Sequence, residues 1–243
     1  MKVMIKKALE YLIGLAVPNF KEVDGFLYSD KPMERIDFNP KAAKIEMNTL
    51  SSLIDYIRAN VDVMSGKMII HVQSPTKVQM YSALDYERKR EYVVEVNASV
   101  PDFRFNQFTD HESFCINLQS KFMDLPGTDR ALILKFAGTV ETGTVAEYGD
   151  DGVTQKATVK TGIASKGEAI VPNPVILCPY RTFAEVEQPF SQFIFRMKQD
   201  KYDVIQCGLF EADGGAWKIE AMRVIKEYLE TQLSGIDGFV VIS

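Results

Sequence analysis

Near the C-terminal end an apolar run, Val204 to Phe210, stops at Glu211-Ala212-Asp213-Gly214-Gly215-Ala216, and a helical pattern, Trp217 to Leu233, follows at once. No other stretch constrains the fold as strongly. An apolar run bounded by turn residues reads as a buried strand. Two adjacent glycines supply the backbone freedom for a tight turn, and Asp213 is placed to cap the helix. With Phe239 to Ile242 as a further strand, the sequence predicts strand, helix and strand in a βαβ-like unit.

The rest of the chain repeats both periodicities. Ile5, Leu9, Leu12, Ile13 and Ala16 share one face of an N-terminal helix that ends before Pro18. Leu50, Leu53, Ile54, Ile57 and Val61 make the stripe of a second helix, capped by Asn48 or Thr49. Lys67–Gln73, Lys77–Leu84 and Tyr92–Val100 read as strands with short connections, hence antiparallel neighbours. In the third, Glu95 and Asn97 alternate with Val94, Val96 and Ala98, which gives one dry and one wet face. Thr109 and Glu112 fit a capping box before the stripe Phe114, Leu118 and Phe122. After Pro126-Gly127 another helix runs from Thr128 or Asp129 to about Ala137. Gly143–Tyr148, the turn residues Gly149-Asp150-Asp151-Gly152, and Val153–Ile163 read as a projecting β-hairpin. Val175–Pro179 and Ser191–Met197 join Val204–Phe210 in a second sheet.

The fold class is therefore α+β: mixed and antiparallel sheets, amphipathic helices and a hairpin near 143–163. Residues 1–47 form an N-terminal helix and arm. Residues 48–243 form one body, divided at most into lobes 48–140 and 164–243 with the hairpin arm 141–163 between them.

The 243 residues carry 28 Lys and Arg against 33 Asp and Glu, a net charge of −5. An acidic chain sets up no global field toward nucleic acid. The one dense basic cluster, Arg88-Lys89-Arg90, is flanked by Glu87 and Glu91. Cys115, Cys178 and Cys207 are odd in number and share no metal spacing. With no secretory pattern, that usage fits a reducing cytoplasm. No apolar stretch approaches the ~20 residues of a membrane span, so no membrane partner is expected.

Five groups of residues carry the candidate chemistry. Glu211 and Asp213 are two acids at a strand–helix junction, either a metal or catalytic pair or simply cap and turn. Asp110-His111-Glu112 combines an imidazole with carboxylates, the types that bind metal or move protons, although consecutive residues diverge. Cys115 lies four residues from His111 on the same helix, within reach as a thiol–imidazole pair. Phe103-Arg104-Phe105, with Arg88, Lys89 and Arg90, is the candidate nucleic-acid segment, because aromatics and Arg stack on bases. Tyr180, Arg181, Phe183 and Phe190, in a Pro-rich connection, and Val153 and Val159, in the hairpin, are candidate interface residues. No catalytic constellation emerges from only two histidines, His71 and His111, and no cofactor is called for.

Several pieces also carry a resemblance: His71-Val72-Gln73-Ser74-Pro75, Asp110-His111-Glu112-Ser113-Phe114, Leu118-Gln119-Ser120-Lys121-Phe122, Asp151-Gly152-Val153-Thr154-Gln155-Lys156, Pro172 to Glu187, and Leu209 to Trp217. In this order, from about residue 48 to 233, they resemble the YfdQ-like family of tailed-phage and prophage proteins. The resemblance implies a phage or prophage origin and a cytoplasmic life in a bacterial host, and brings no activity with it. The expected function is non-enzymatic: self-assembly as a homo-oligomer, shell- or scaffold-like, or binding of a partner. The alternatives are a nucleic-acid-binding accessory factor and, after it, a metal-dependent hydrolase.

Overall fold

A computed structural model describes residues 2–33, 41–64, 66–139, 156–160, 166–170, 173–202 and 204–243. The chain divides into two compact units, Met1–Ala42 and Ala43–Ser243.

The first unit holds helix α1 (Lys2–Ala16) and a hairpin of β1 (Phe20–Val23) and β2 (Phe26–Ser29). Asp24 and Gly25 turn the hairpin in the left-handed region, with φ of 54° and 80°, the geometry that two-residue hairpin loops require. The hairpin's ends are tied by Asn19, whose backbone N and Nδ2 each donate to Asp30 at 2.8 Å. Lys31 Nζ reaches the carbonyls of Leu15 and Val17 and so closes the C-terminus of α1. This unit has no buried core among its described residues. Its large apolar side chains, among them Ile5, Leu9, Leu12, Ile13, Phe20, Phe26 and Leu27, are 42–70% exposed.

The second unit contains two sheets. The first has the order β13-β4-β5-β6-β3, formed by β3 (Ile45–Met47), β4 (Met68–Ser74), β5 (Lys77–Ser82), β6 (Tyr92–Asn97) and β13 (Phe239–Ile242). The central three strands are antiparallel, as their short connections predict, and both edge strands pair in parallel. Alternation sends Met68, Ile70, Val72, Val78, Met80, Val94 and Val96 to one dry face. Helix α2 (Leu50–Ala59) covers that face with Leu50, Leu53, Ile54 and Ile57. Thr49 is its N-cap, accepting from Ser52 N at 3.1 Å. The helix ends before Val61, which is exposed, because Asn60 adopts the left-handed conformation and donates its N–H to Tyr56 O. Ile225, Leu229 and Leu233 complete this core from helix α5 (Ala216–Gln232) and its end.

The second sheet has the order β10-β11-β12-β7 and is antiparallel throughout. Its strands are β7 (Phe108–Asp110), β10 (Val175–Leu177), β11 (Ser191–Gln199) and β12 (Ile205–Glu211). Helices α3 (His111–Lys121) and α4 (Arg130–Thr139) supply Phe114, Leu118 and Ile133 to its core, against Phe193, Phe195, Met197, Cys207 and Leu209. Gly208 is required where β12 meets β7: a Cβ there would lie 2.9 Å from the carbonyl of Gln107.

Two expectations need correction. The cap of α3 is Asp110, which accepts from Ser113 N at 2.9 Å; Thr109 belongs to β7. The βαβ-like unit does not form, since β12 lies in the second sheet and β13 in the first, so α5 crosses between sheets. That crossing returns residues 216–242 to the first core, so lobes 48–140 and 164–243 interleave within one unit. In the hairpin region β8 (Lys156–Lys160) pairs with β9 (Lys166–Ile170), on its C-terminal side. The expected partner strand 143–148 and turn 149–152 lie outside the described residues.

Candidate functional site

The Glu211–Trp217 junction folds around a residue thirty positions earlier. Arg181, only 6% exposed, lays its guanidinium 3.8 Å from the centroid of the Trp217 ring. The guanidinium also lies 5.6 and 6.0 Å from the ring centroids of Phe193 and Phe105. Arg181 Nη1 donates to Glu211 Oε1 at 3.2 Å, and the same oxygen accepts from Trp217 Nε1 at 3.0 Å. Arg181 Nη2 donates to Ser191 Oγ, which donates in turn to Asp213 Oδ2 at 2.7 Å. Asp213 Oδ1 accepts from Gly215 N at 2.9 Å, closing the turn in which Gly214 and Gly215 have φ of 62° and 83°. The helix N-cap is Gly215, with no side-chain cap bond; Asp213 holds the turn before it.

Burial pulls the Arg181 pKa down to about 10, against the opposing charges of Glu211 and Asp213. Burial also pushes Asp213 up, but its bonds from Ser191 and Gly215 and the charge of Arg181 prevail and hold it below its ordinary value. Of the two acids singled out for metal binding, Glu211 is bonded to the guanidinium directly and Asp213 through Ser191 Oγ. They make a charge-compensated strut, in which planar Arg serves better than Lys because it stacks and forks at once.

The strut depends on the segment before it. Gln188 Oε1 accepts from the backbone N of Arg181 and Thr182 at 3.0 and 3.1 Å, and its Nε2 donates to Phe183 O at 2.9 Å. Thr182 Oγ1 donates to Pro75 O at 2.5 Å, and Phe183 and Val186 enter the first core. Of the proposed interface residues, Arg181 and Phe183 are therefore buried inside the chain itself. Tyr180 and Phe190 remain 41% and 42% exposed. Val153 lies outside the described residues, as does the side chain of Val159, which stands in β8.

The other candidates do not converge. His111 Nε2 sits 2.8 Å from Ala137 O, so this nitrogen carries the proton and donates. Cys115 Sγ is 3.7 Å from the same nitrogen, and burial raises its pKa, the opposite of what an activated thiol needs. Asp110 is committed to its cap, and hydrogen bonds from Ser113 lower its pKa. Among the described residues no group of three or more His, Cys, Asp or Glu is placed to hold a metal, Glu112 included. Phe103 and Phe105 turn inward: their rings meet at 4.6 Å, Phe103 packs edge-on to Phe122 at 4.8 Å, and Phe105 stacks on Phe193 at 5.4 Å. Only Arg104 of that trio is exposed. Arg88, Lys89 and Arg90 lie on an exposed turn organised by Asp85, with Lys89 paired to Glu87 at 3.1 Å.

Comparison with protein-family models, with curated proteins and with solved structures finds no match.

Two features went unread in the sequence. One is that, among the described residues, the large apolar side chains of the first unit are exposed. The other lies on the wet face of the first sheet. Tyr81 stacks on Tyr92 at 5.1 Å, and Gln79 Nε2 donates to Tyr92 OH at 2.5 Å. Tyr92 OH donates to Glu95, which also receives Lys44 at 2.8 Å, Asn97 at 3.0 Å and Lys77 at 3.2 Å. The alternation of Glu95 and Asn97 was the signal for this face; Lys77, Gln79 and Tyr81 come to it from β5 and Lys44 from the residue before β3. Lys44, then Tyr92 and Asn97, hold the Glu95 carboxyl well below the usual carboxylate range. A depressed folded-state pKa gives stability that is present above the unfolded value, about 4.3, and is lost as pH falls. Glu95→Gln is expected to lower Tm near neutral pH and to narrow the gap to the unsubstituted chain as pH drops from about 6 to 3. Thermal scans over that range check this; parallel curves would contradict it. No helix among the described residues is long and apolar enough to cross a membrane.

Proposed function

We propose that this protein acts by self-assembly and not by catalysis, with the N-terminal unit as the element that joins copies. The single observation that carries this reading is the exposure of that unit's apolar side chains along α1 and its hairpin. A monomeric soluble domain rarely leaves such a contiguous apolar set in water, and patches of this kind mark interaction surfaces. The Asn19–Asp30 and Lys31 bonds give α1 and the hairpin defined ends, so the surface is shaped before a partner arrives and less ordering entropy opposes association. The resemblance to YfdQ-like phage proteins adds an expected phage setting and carries no activity of its own. Nucleic-acid binding draws less support, because Phe103 and Phe105 are engaged in the core, and hydrolysis less still, because Glu211 and Asp213 surround Arg181.

Leu9→Glu with Leu12→Glu is the direct test. Each change places a carboxylate where an apolar contact is expected while leaving both cores of Ala43–Ser243 intact, since neither contains a residue of the first unit. The expected result is loss of assembly, with sedimentation velocity showing monomer and unchanged circular dichroism. Equal assembly by the doubly substituted chain would overturn the reading.

A further inference from the structure

The second sheet has a face on which neither α3 nor α4 packs, because both helices lie on the side of Phe193, Phe195 and Leu209. By alternation Ile194, Arg196 and Lys198 of β11 point to the other side. Their partners in β12 are Phe210, Gly208 and Gln206, and Phe108 of β7 stands next to Gly208. Ile194 and Lys198 are exposed, while Phe108, Phe210 and Arg196 are half-buried.

Two aromatic rings dominate this face. Phe108 and Phe210 lie 5.3 Å apart at 64°. Both close over Gly208, where an added Cβ would meet Phe210 at 3.1 Å and Phe108 at 3.3 Å. Lys198 holds its ammonium 4.4 Å from the centroid of the Phe108 ring. At the hairpin joining β11 to β12, Lys201 stands 4.9 Å from the ring of Tyr202, which is 72% exposed. The described acids of these strands are engaged elsewhere. Glu211 bonds Arg181 and Trp217, Asp110 caps α3, and Asp200 accepts from the backbone N of Tyr202 and Val204 within the hairpin.

Rings and lysines together select the occupant. An acidic peptide would satisfy the lysines and leave the rings without a partner. An apolar peptide would cover the rings and strand the lysines. A single strand of nucleic acid satisfies both, since its bases stack on aromatic rings and its phosphates meet cations, and sheets that display aromatic side chains bind it in this way.

We infer that this face of the second sheet binds single-stranded nucleic acid, with bases stacked on Phe108 and Phe210 and phosphates met by Lys198 and Lys201. An exposed lysine is held over a ring more weakly than a stacked base is, so Lys198 moves from Phe108 to a phosphate as a base takes its place. The net charge of −5 confines the attraction to this local patch. The site shares no residue with the 88–90 and 103–105 segments, and it does not depend on self-assembly.

Fluorescence anisotropy of a labelled oligothymidine of about 20 nucleotides, longer than the site on one small domain, tests this with the full chain at low salt. The expected result is saturable binding that weakens as salt rises. A strand of the same length without bases is expected to bind at least about fivefold more weakly, and so is a duplex, whose bases are already stacked. Phe210→Leu keeps most of the volume but not the ring, and is expected to weaken binding about fivefold or more. Lys198→Glu, at an exposed position, is expected to weaken it and to reduce its salt dependence. No binding by the unsubstituted chain, equal binding of the base-free strand or the duplex, or unchanged affinity in either variant overturns the inference. Displacement of the oligonucleotide by polyglutamate of equal charge assigns the face to an acidic protein segment and overturns it as well.

Discussion

Arg181→Ala is expected to remove roughly 3 kcal/mol or more of stability, the range for taking one partner out of a buried pair. Three losses combine. Glu211 keeps its charge without the guanidinium that faced it at 3.2 Å. Ser191 loses a donor while still bonded to Asp213. Trp217 loses the planar group stacked on it at 3.8 Å. The partial exposure of Glu211, whose side chain is 28% accessible, keeps the loss toward the lower end. Arg181→Lys retains the charge but neither the fork nor the stack, so it falls between the two. Arg181→Met with Glu211→Gln leaves no charge unpaired at that contact and is expected to lose less than Arg181→Ala. Urea unfolding measures all three, and Trp217, the sole tryptophan, reports the site by its emission. An Arg181→Ala chain as stable as the original would show that the cluster is not a strut.

Phe195→Ala carries the other large effect, about 3–5 kcal/mol. The ring is fully buried at the centre of β11, stacked on Phe114 at 5.5 Å and met edge-on by Phe136 at 6.5 Å. Its neighbours come from α3, α4 and β12, so the surroundings cannot collapse into the space from one side. Phe195→Leu keeps most of the volume and is expected to lose less than half as much. Equilibrium unfolding of the two variants separates the contributions; equal stability of Phe195→Ala and the unsubstituted chain would contradict the packing described.

Local signals were legible because they depend on neighbours in sequence. Thr49 before the stripe Leu50–Ile57 marked α2, and Val94 and Val96 alternating with Glu95 marked the dry and wet faces of β6. The helix period placed Phe114, Leu118 and Phe122 inward. What failed was non-local or shifted by one residue. Thr109 and Asp110 both suit a cap, and the helix starts at His111, one residue later than Thr109 would need, so Asp110 is the residue that accepts from Ser113 N. Nothing around β12 and α5 says that β13 will join the strand at Met68 and not the strand at Ile205. Glu211 and Asp213 look like free acids until Arg181 arrives from the 180–190 connection, and that arrival depends on Gln188 shaping the segment. Arg beside aromatics in a Pro-rich stretch carries the same signature at a surface as in an internal strut. The apolar face of α1 was visible in the pattern, but a pattern does not say whether anything covers it.

The central claim is that the chain joins to copies of itself, and the native mass of the intact, unsubstituted protein tests it most directly. At micromolar concentration the account predicts species of two or more copies that dissociate on dilution. A single monomeric species across that range would contradict it.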